Sequence, residues 1–186
     1  MGMKRMIYRI AKLLNHNSFI GIESDAKQEY LIMGKGVGFG RKVAERIKVR
    51  PEDRLYSLQK YKERGGAKEI VKSIAPEFLE LTNAVLNEAE KVFGKIDRMV
   101  LFPLADHIAF AVKRIQNHEQ ISNPLTEDIR VLFHMEFKVA ESIRPLLKKQ
   151  FQIDIEDDEI GYVALHIHSA IEDEKVSQAM QMARSV

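Results

Sequence analysis

The chain has 186 residues, 45% hydrophobic and 30% charged, which suits a folded globular protein of one domain or two small ones. Cysteine is absent, which excludes a disulfide framework, a thiol nucleophile and a thiolate metal site and fits a reducing cytoplasm. The net charge of +2 divides unevenly: residues 1–60 hold 13 Lys+Arg against 6 Asp+Glu, and the remainder 16 against 21. A basic head on an acidic body points to two modules, the first with an anionic partner, unless the excess is only a surplus of surface lysines.

No apolar run approaches the ~20 residues of a membrane span. The start, "MGMKRMIYRIAKLLNHN", is basic without a continuous apolar core and makes a poor signal peptide. The expectation is a cytoplasmic protein without membrane insertion.

Up to about residue 57 the pattern is strand-like. "MIYRIAKLL", "SFIGIE", "EYLIMG", "ERIKV" and "RLYSL" are short β-branched or aromatic runs separated by turn chemistry, such as Asn15-His16-Asn17 and Ser24-Asp25. Spacing this tight predicts antiparallel hairpins. "KYKERGGAKE" follows, and its Gly65-Gly66 pair marks a linker. The period then becomes helical. Ala75–Phe93 opens with Pro76 and stops before Gly94. Met99–Asn117 carries Leu101, Leu104, Ile108, Ala111, Val112 and Ile115 on one stripe. Thr126–Gln150 begins with Thr126-Glu127-Asp128, and Pro145 should kink or end it. Glu156–Ile171 places four acidic residues in its first turn, where the helix dipole favours them. The predicted fold class is α+β multidomain: a small antiparallel β domain over 1–60, a linker over 61–72 and an all-α bundle over 73–180.

"LIMGKGVGFGRK" puts four of the ten glycines at Gly34, Gly36, Gly38 and Gly40, every second residue. The spacing is neither G-x-G-x-x-G nor G-x-x-x-x-G-K-[ST], which argues against a nucleotide-cofactor loop. A hairpin where two backbones pack closely would also use glycine. On a strand, alternate glycines clear one face, so a nucleic acid could lie against the backbone. Lys35, Arg41 and Lys42 would neutralise phosphates and Phe39 would stack on an exposed base.

"KLLNHN" at 12–17 followed by "LIMGKGVGFGRK" resembles the co-antiterminator RNA-binding domain of the BglG/SacY family of bacterial sugar-operon antiterminators. Lys12, Asn15 and Asn17 match the first part of the family pattern, and Gly34, Lys35, Gly36 and Phe39 the second; His16 and Ser18 depart from it. The form GKGxGFG is most similar to the glucose-operon branch. "LADHIAFAVKR" (104–114) and "DEIGYVALHIHSA" (158–170) resemble the two histidine signatures of the PTS regulation domain that follows the RNA binder in this family. The resemblance implies an RNA-binding antiterminator, not an enzyme. Its partners would be a leader-mRNA hairpin rather than DNA, and the sugar phosphotransferase proteins enzyme II and HPr. It also implies a homodimer, with no cofactor and no metal. RNA contacts would come from Lys12, Asn15, Asn17, Gly34, Lys35, Gly36, Phe39 and Arg41. Members usually carry two regulation domains, so a fragment or truncated member is expected here.

His166-Ile167-His168 has a spacing that would suit metal ligation on a strand. On a helix the two rings diverge by about 160–200° and cannot share an ion. His107 lies at the edge of its apolar stripe with Arg114 seven residues on; His166 shares an edge with Glu159 and Ala170. By resemblance, His107 and His166 are the phosphorylatable pair, with Asp106 and Arg114 in support. Two rivals stay open: a phosphorylation-responsive interaction module with no RNA role, and a metal-dependent hydrolase built on the late histidines.

Overall fold

The structure is a computed structural model that describes residues 7–59, 66–119 and 121–184. It divides into two compact units, with the boundary after Glu80. In the first, β1 (Ile7–Asn15), β2 (Ser18–Glu23), β3 (Glu29–Met33), β4 (Arg46–Lys48) and β5 (Arg54–Ser57) form one sheet in the order β4-β1-β2-β3-β5. Every neighbouring pair is antiparallel. These are the five predicted runs. Met6, at the start of the first, lies outside the described residues.

Alternation sets the two faces of the sheet. Tyr8 and Ile10 are buried, while Ile7 and Arg9 are exposed. The inward residues Tyr8, Ile10, Phe19, Ile32 and Ile47 close a core with Val37, which comes from the glycine stretch. Burying a side chain of the size of Phe19 contributes about 1.5–3 kcal/mol, so Phe19→Ala is the single change best placed to open this core. β1 takes an extra residue twice, between Ile10 and Lys12 and between Leu13 and Asn15. Such bulges re-aim the side chains that follow them.

Helix α1 (Ala67–Ser73) falls inside the stretch expected as a linker, and Lys68 Nζ ties it to Glu29 of β3 at 2.8 Å. Residues 61–65, including Gly65, lie outside the described residues. Helix α2 (Pro76–Phe93) starts and stops where its proline and Gly94 predict; Gly94 has φ +76°.

In the second unit a 3₁₀ turn (Arg98–Val100) leads into α3 (Leu101–Gln116). Its predicted apolar stripe is buried at Leu101, Leu104, Ile108, Ala111 and Val112. The predicted helix over 126–150 is instead three: α4 (Thr126–Leu132), α5 (His134–Ala140) and α6 (Ile143–Phe151). The first break is at Phe133, whose backbone leaves the helical region (φ −120°, ψ 52°) and whose ring stacks on His168 with centroids 4.0 Å apart. Pro145 neither kinks nor ends a helix. It is the third residue of α6, in the first turn, where its missing N–H would have had no intrahelical acceptor.

The last helix, α7 (Asp157–Arg184), runs beyond the predicted Ile171. α4 and α5 pack on it. Its start is fixed by charge: Asp157 accepts from Arg130 at 2.7 Å and also from Arg144. Gly161 lets α7 approach closely, since a Cβ there would lie 2.8 Å from Asn123 Nδ2. Among the described residues no helix is long and apolar enough to cross a membrane.

Candidate nucleic-acid interface and histidine cluster

The glycine stretch is not a strand. Residues 35–40 are consecutive turns, in which Val37 N–H donates to Gly34 O, Phe39 N–H to Gly36 O and Arg41 N–H to Gly38 O at 3.1, 3.0 and 3.3 Å. The alternate spacing therefore reports a three-residue step repeated every second residue. The four glycines divide by cause. Gly36 and Gly40 have φ +69°, the left-handed region that L side chains rarely enter. Gly34 and Gly38 are needed for space: a Cβ would lie 2.0 Å from Asp53 Oδ1 at the first and 2.5 Å from the Asn15 carbonyl oxygen at the second.

The β1–β2 hairpin tip holds these turns from one side. Gly34 N–H donates to Asn17 O at 3.0 Å and Gly38 N–H to His16 O at 2.8 Å. Asn17 Oδ1 accepts from Gly36 N–H at 2.7 Å. Asn15 Oδ1 accepts from Asn17 N–H at 2.9 Å and from the Ser18 hydroxyl at 2.8 Å. Both asparagines thus use their side-chain oxygens to shape the loop, and these bonds leave the N–H donors of the carboxamides unused. On another side, Arg50 binds Asp53 through its backbone N–H and guanidinium, and its Nη2 also donates to Lys35 O at 2.8 Å. Asp53 is buried, and the clamp fixes the first turn.

Phe39 stands out from this frame, 66% exposed, its ring edge-on to His16 with centroids 5.1 Å apart. An exposed phenyl on a backbone held by these hydrogen bonds is pre-oriented for stacking. Lys12, Lys35 and Arg41 are exposed as well, and Arg41 pairs with Glu45 at 2.8 Å. The sequence reading named Phe39, both asparagines and the cations. It missed Arg50 and Asp53, whose only signal is a charged turn, Arg50-Pro51-Glu52-Asp53, after β4.

In the second unit the two helix edges meet at a carboxylate. Glu159, 6% exposed at its side chain, accepts from Arg114 Nη2 at 2.8 Å and faces His107 Nε2 at 3.1 Å. Burial pushes the Glu159 carboxyl upward, but hydrogen bonds from His107 and Arg114 outweigh it, and its pKa is lowered. An ionised carboxylate only accepts, so His107 Nε2 donates. The His166 ring lies 5.5 Å from that of His107, and Tyr162 flanks His107 at 5.6 Å. Burial, then the charge of His107, lowers the His166 pKa to about 4. His166 is therefore a neutral imidazole at neutral pH.

His168 turns to another neighbourhood, its Nδ1 2.9 Å from Glu136 Oε2 and its ring on Phe133. Asp106 is half-buried and, among the described residues, has no hydrogen bond to either histidine of the pair. Arg114 serves Glu159 rather than standing open. Glu159 is the residue the sequence reading left without a role, although its spacing from His166 had placed both on one edge.

Two family models match the chain. The CAT RNA binding domain covers residues 8–65 and the PRD domain residues 79–170. The glcA/glcB genes antiterminator of Staphylococcus carnosus is 30% identical over 174 residues, 89% of this chain and 58% of that protein. Protein GlcT of Staphylococcus epidermidis is 30% identical over 167 residues, 87% of this chain and 57% of that protein. The chain thus spans under three-fifths of the length of these relatives. The crystal structure of GlcT CAT-PRDI superposes with a TM-score of 0.74 at 28% identity, covering 89% of this chain and 98% of that one. On these matches the chain belongs to the BglG/SacY antiterminator family, with a CAT RNA-binding domain followed by a PRD domain.

Proposed function

We propose that the chain is an RNA-binding antiterminator of a bacterial sugar operon of the glucose type, controlled by histidine phosphorylation from the sugar phosphotransferase system. The observation that carries the RNA reading is Phe39, 66% exposed on a run of turns whose backbone is fixed by Asn17, His16 and the Arg50–Asp53 clamp. Phe39 would stack on an unpaired base of a leader hairpin, while Lys12, Lys35 and Arg41 neutralise phosphates. Holding that hairpin folded withholds the nucleotides it shares with the terminator.

The histidine pair supports the regulatory half. Phosphoryl transfer needs an unprotonated ring nitrogen; His166 is neutral at neutral pH, and Glu159 engages Nε2 of His107, so Nδ1 is the nitrogen of that ring turned away from the carboxylate. A phosphate on either ring adds close to two negative charges beside the Glu159 carboxylate. Arg114 then has two anions to choose between, and the contact that joins α3 to α7 is biased toward release. We read the active species as a homodimer. Val131, Leu132 and Met135 are exposed on α4 and α5 and offer an apolar surface to a second copy.

Transcription of a leader template in vitro tests the reading. The chain should raise read-through past the terminator, Phe39→Ala should not, and prior phosphorylation by the phosphotransferase proteins should change the yield. Unchanged termination with the unmodified chain would refute it.

A further inference from the structure

β1 carries a second set of cations on the face turned away from the core. Arg9 stands between inward Tyr8 and Ile10 and is exposed. The register places Arg46 of β4 directly opposite Arg9, with Ile22 of β2 on its other side. Lys27, held at φ 54° in the β2–β3 turn, closes one end. With Glu23 and Ser24 these residues line an open pocket of ≈ 360 Å³.

Like charges directly opposite across two strands are destabilising. Arginine does not lose its charge to relieve the repulsion. Three cations of this unit have answering carboxylates: Arg41 has Glu45, Arg50 has Asp53 and Lys68 has Glu29. Among the described residues, the side chains of Arg9 and Arg46 have neither an ion pair nor a hydrogen bond. Glu23, the acid in the pocket wall, is buried, and its charge is felt on the core side as well. There burial first, then Tyr30 and Glu23, raise the Tyr8 pKa to about 12. The pocket therefore sets three cations against one carboxylate and carries a net positive charge that suits an oxyanion.

The same face leads to the glycine turns. The extra residue between Ile10 and Lys12 returns Lys12 to the side of Arg9, opposite Ile20, while Phe19 opposite Leu13 points to the core. Arg46, Arg9 and Lys12 make a track toward the hairpin tip at Asn15–Ser18, where His16 meets Phe39. The run from Arg9 to Asn15 is roughly 15–20 Å.

We propose that the Arg9–Arg46–Lys27 pocket is a second RNA contact, taking a backbone phosphate of the hairpin stem while the glycine turns hold its unpaired bases. It rests on the RNA reading above. The lining is three cations with one isoleucine, one serine and one glutamate, and the contact proposed for it is to phosphate, which positions the stem and carries no sequence information. Guanidinium pairs suit phosphate because they donate two parallel hydrogen bonds.

The test measures binding of the full chain to a leader hairpin over a salt series, using one RNA with its full stem and one with the stem cut back to the unpaired bases. Arg9→Ala/Arg46→Ala should lower the salt slope on the full stem by about two and leave the short RNA unaffected. Arg9→Lys/Arg46→Lys should keep the slope. Without RNA, Arg46→Ala should melt no lower than the unmodified chain, since it removes a repulsion. Equal slopes on the full stem would overturn this proposal alone and leave the glycine-turn reading standing. No binding of either RNA by the unmodified chain would overturn both. If the double alanine variant instead loses binding to a phosphopeptide and keeps the RNA slope, the pocket serves a protein partner and the proposal is wrong.

Discussion

His107 and Glu159 are 52 residues apart in sequence, yet His107 Nε2 lies 3.1 Å from Glu159 Oε2. Arg114 holds the other oxygen of the same carboxylate at 2.8 Å. One buried anion thus holds the Nε2 proton of one histidine and joins α3 to α7. Glu159→Gln leaves Arg114 without its counter-charge. Because Arg114 and His107 are each 23% exposed, the expected loss is about 2 kcal/mol, below the range for fully buried pairs. Chemical denaturation checks the loss, and ring-nitrogen shifts should show His107 no longer fixed with its proton on Nε2.

The His166 pKa, lowered to about 4 by burial, makes stability depend on pH. Below the ordinary histidine value of about 6.5 the unfolded chain binds a proton that the folded chain refuses until about pH 4. The contribution is complete above 6.5 and is lost as pH falls toward 4, on the order of 3 kcal/mol at most. His166→Leu should flatten this part of the stability curve. Glu159 acts lower: with its pKa depressed, its contribution is present above the ordinary carboxylate value and disappears as pH falls through its folded value. Urea unfolding at stepped pH separates the two.

The two kinds of glycine should respond differently to substitution. Gly36 has open space around its Cβ position but a φ of +69°, so Gly36→Ala costs about 1 kcal/mol and Gly36→Asn recovers much of it. Gly38 faces the Asn15 carbonyl at 2.5 Å, a backbone atom that cannot swing aside. Gly38→Ala and Gly38→Asn should both cost about 1–3 kcal/mol, with no recovery by asparagine. Thermal melts of the four variants decide between conformation and space as the cause.

Asn17→Ala removes the acceptor for Gly36 N–H, made at 2.7 Å. The expected cost is about 1 kcal/mol of stability, together with weaker RNA binding, because the turn that carries Phe39 loses its anchor. Asn17→Asp keeps the acceptor and should preserve the fold while still weakening RNA binding through its negative charge. Parallel melting and binding measurements check both.

The sheet was readable strand by strand because β-branched and aromatic runs alternate between well-marked turns. Phe39 and the asparagines stood out by motif. The glycine stretch misled because a period of two is also the period of a strand; repeated three-residue turns with every second residue glycine give the same spacing. The Arg50–Asp53 clamp joins the chain across 15 residues to Lys35, and local pattern cannot show such a bond. Thr126–Gln150 looked like one helix because both sides of Phe133 have helical periodicity. The break depends on the stacking of Phe133 on His168, a long-range contact. The histidine pair was legible as two helix edges. That Glu159 joins them needed the packing of α3 against α7.

The central claim, that Phe39 and the fixed turns read a hairpin RNA, is tested most directly by binding of the full chain to a leader hairpin and to a scrambled RNA of equal length. The unmodified chain should prefer the hairpin at all salt concentrations. Phe39→Ala should lose about 1–3 kcal/mol of that binding with an unchanged salt slope and an unchanged melting temperature, since the ring is 66% exposed. Equal binding of hairpin and scrambled RNA, or full hairpin affinity in Phe39→Ala, would contradict the account.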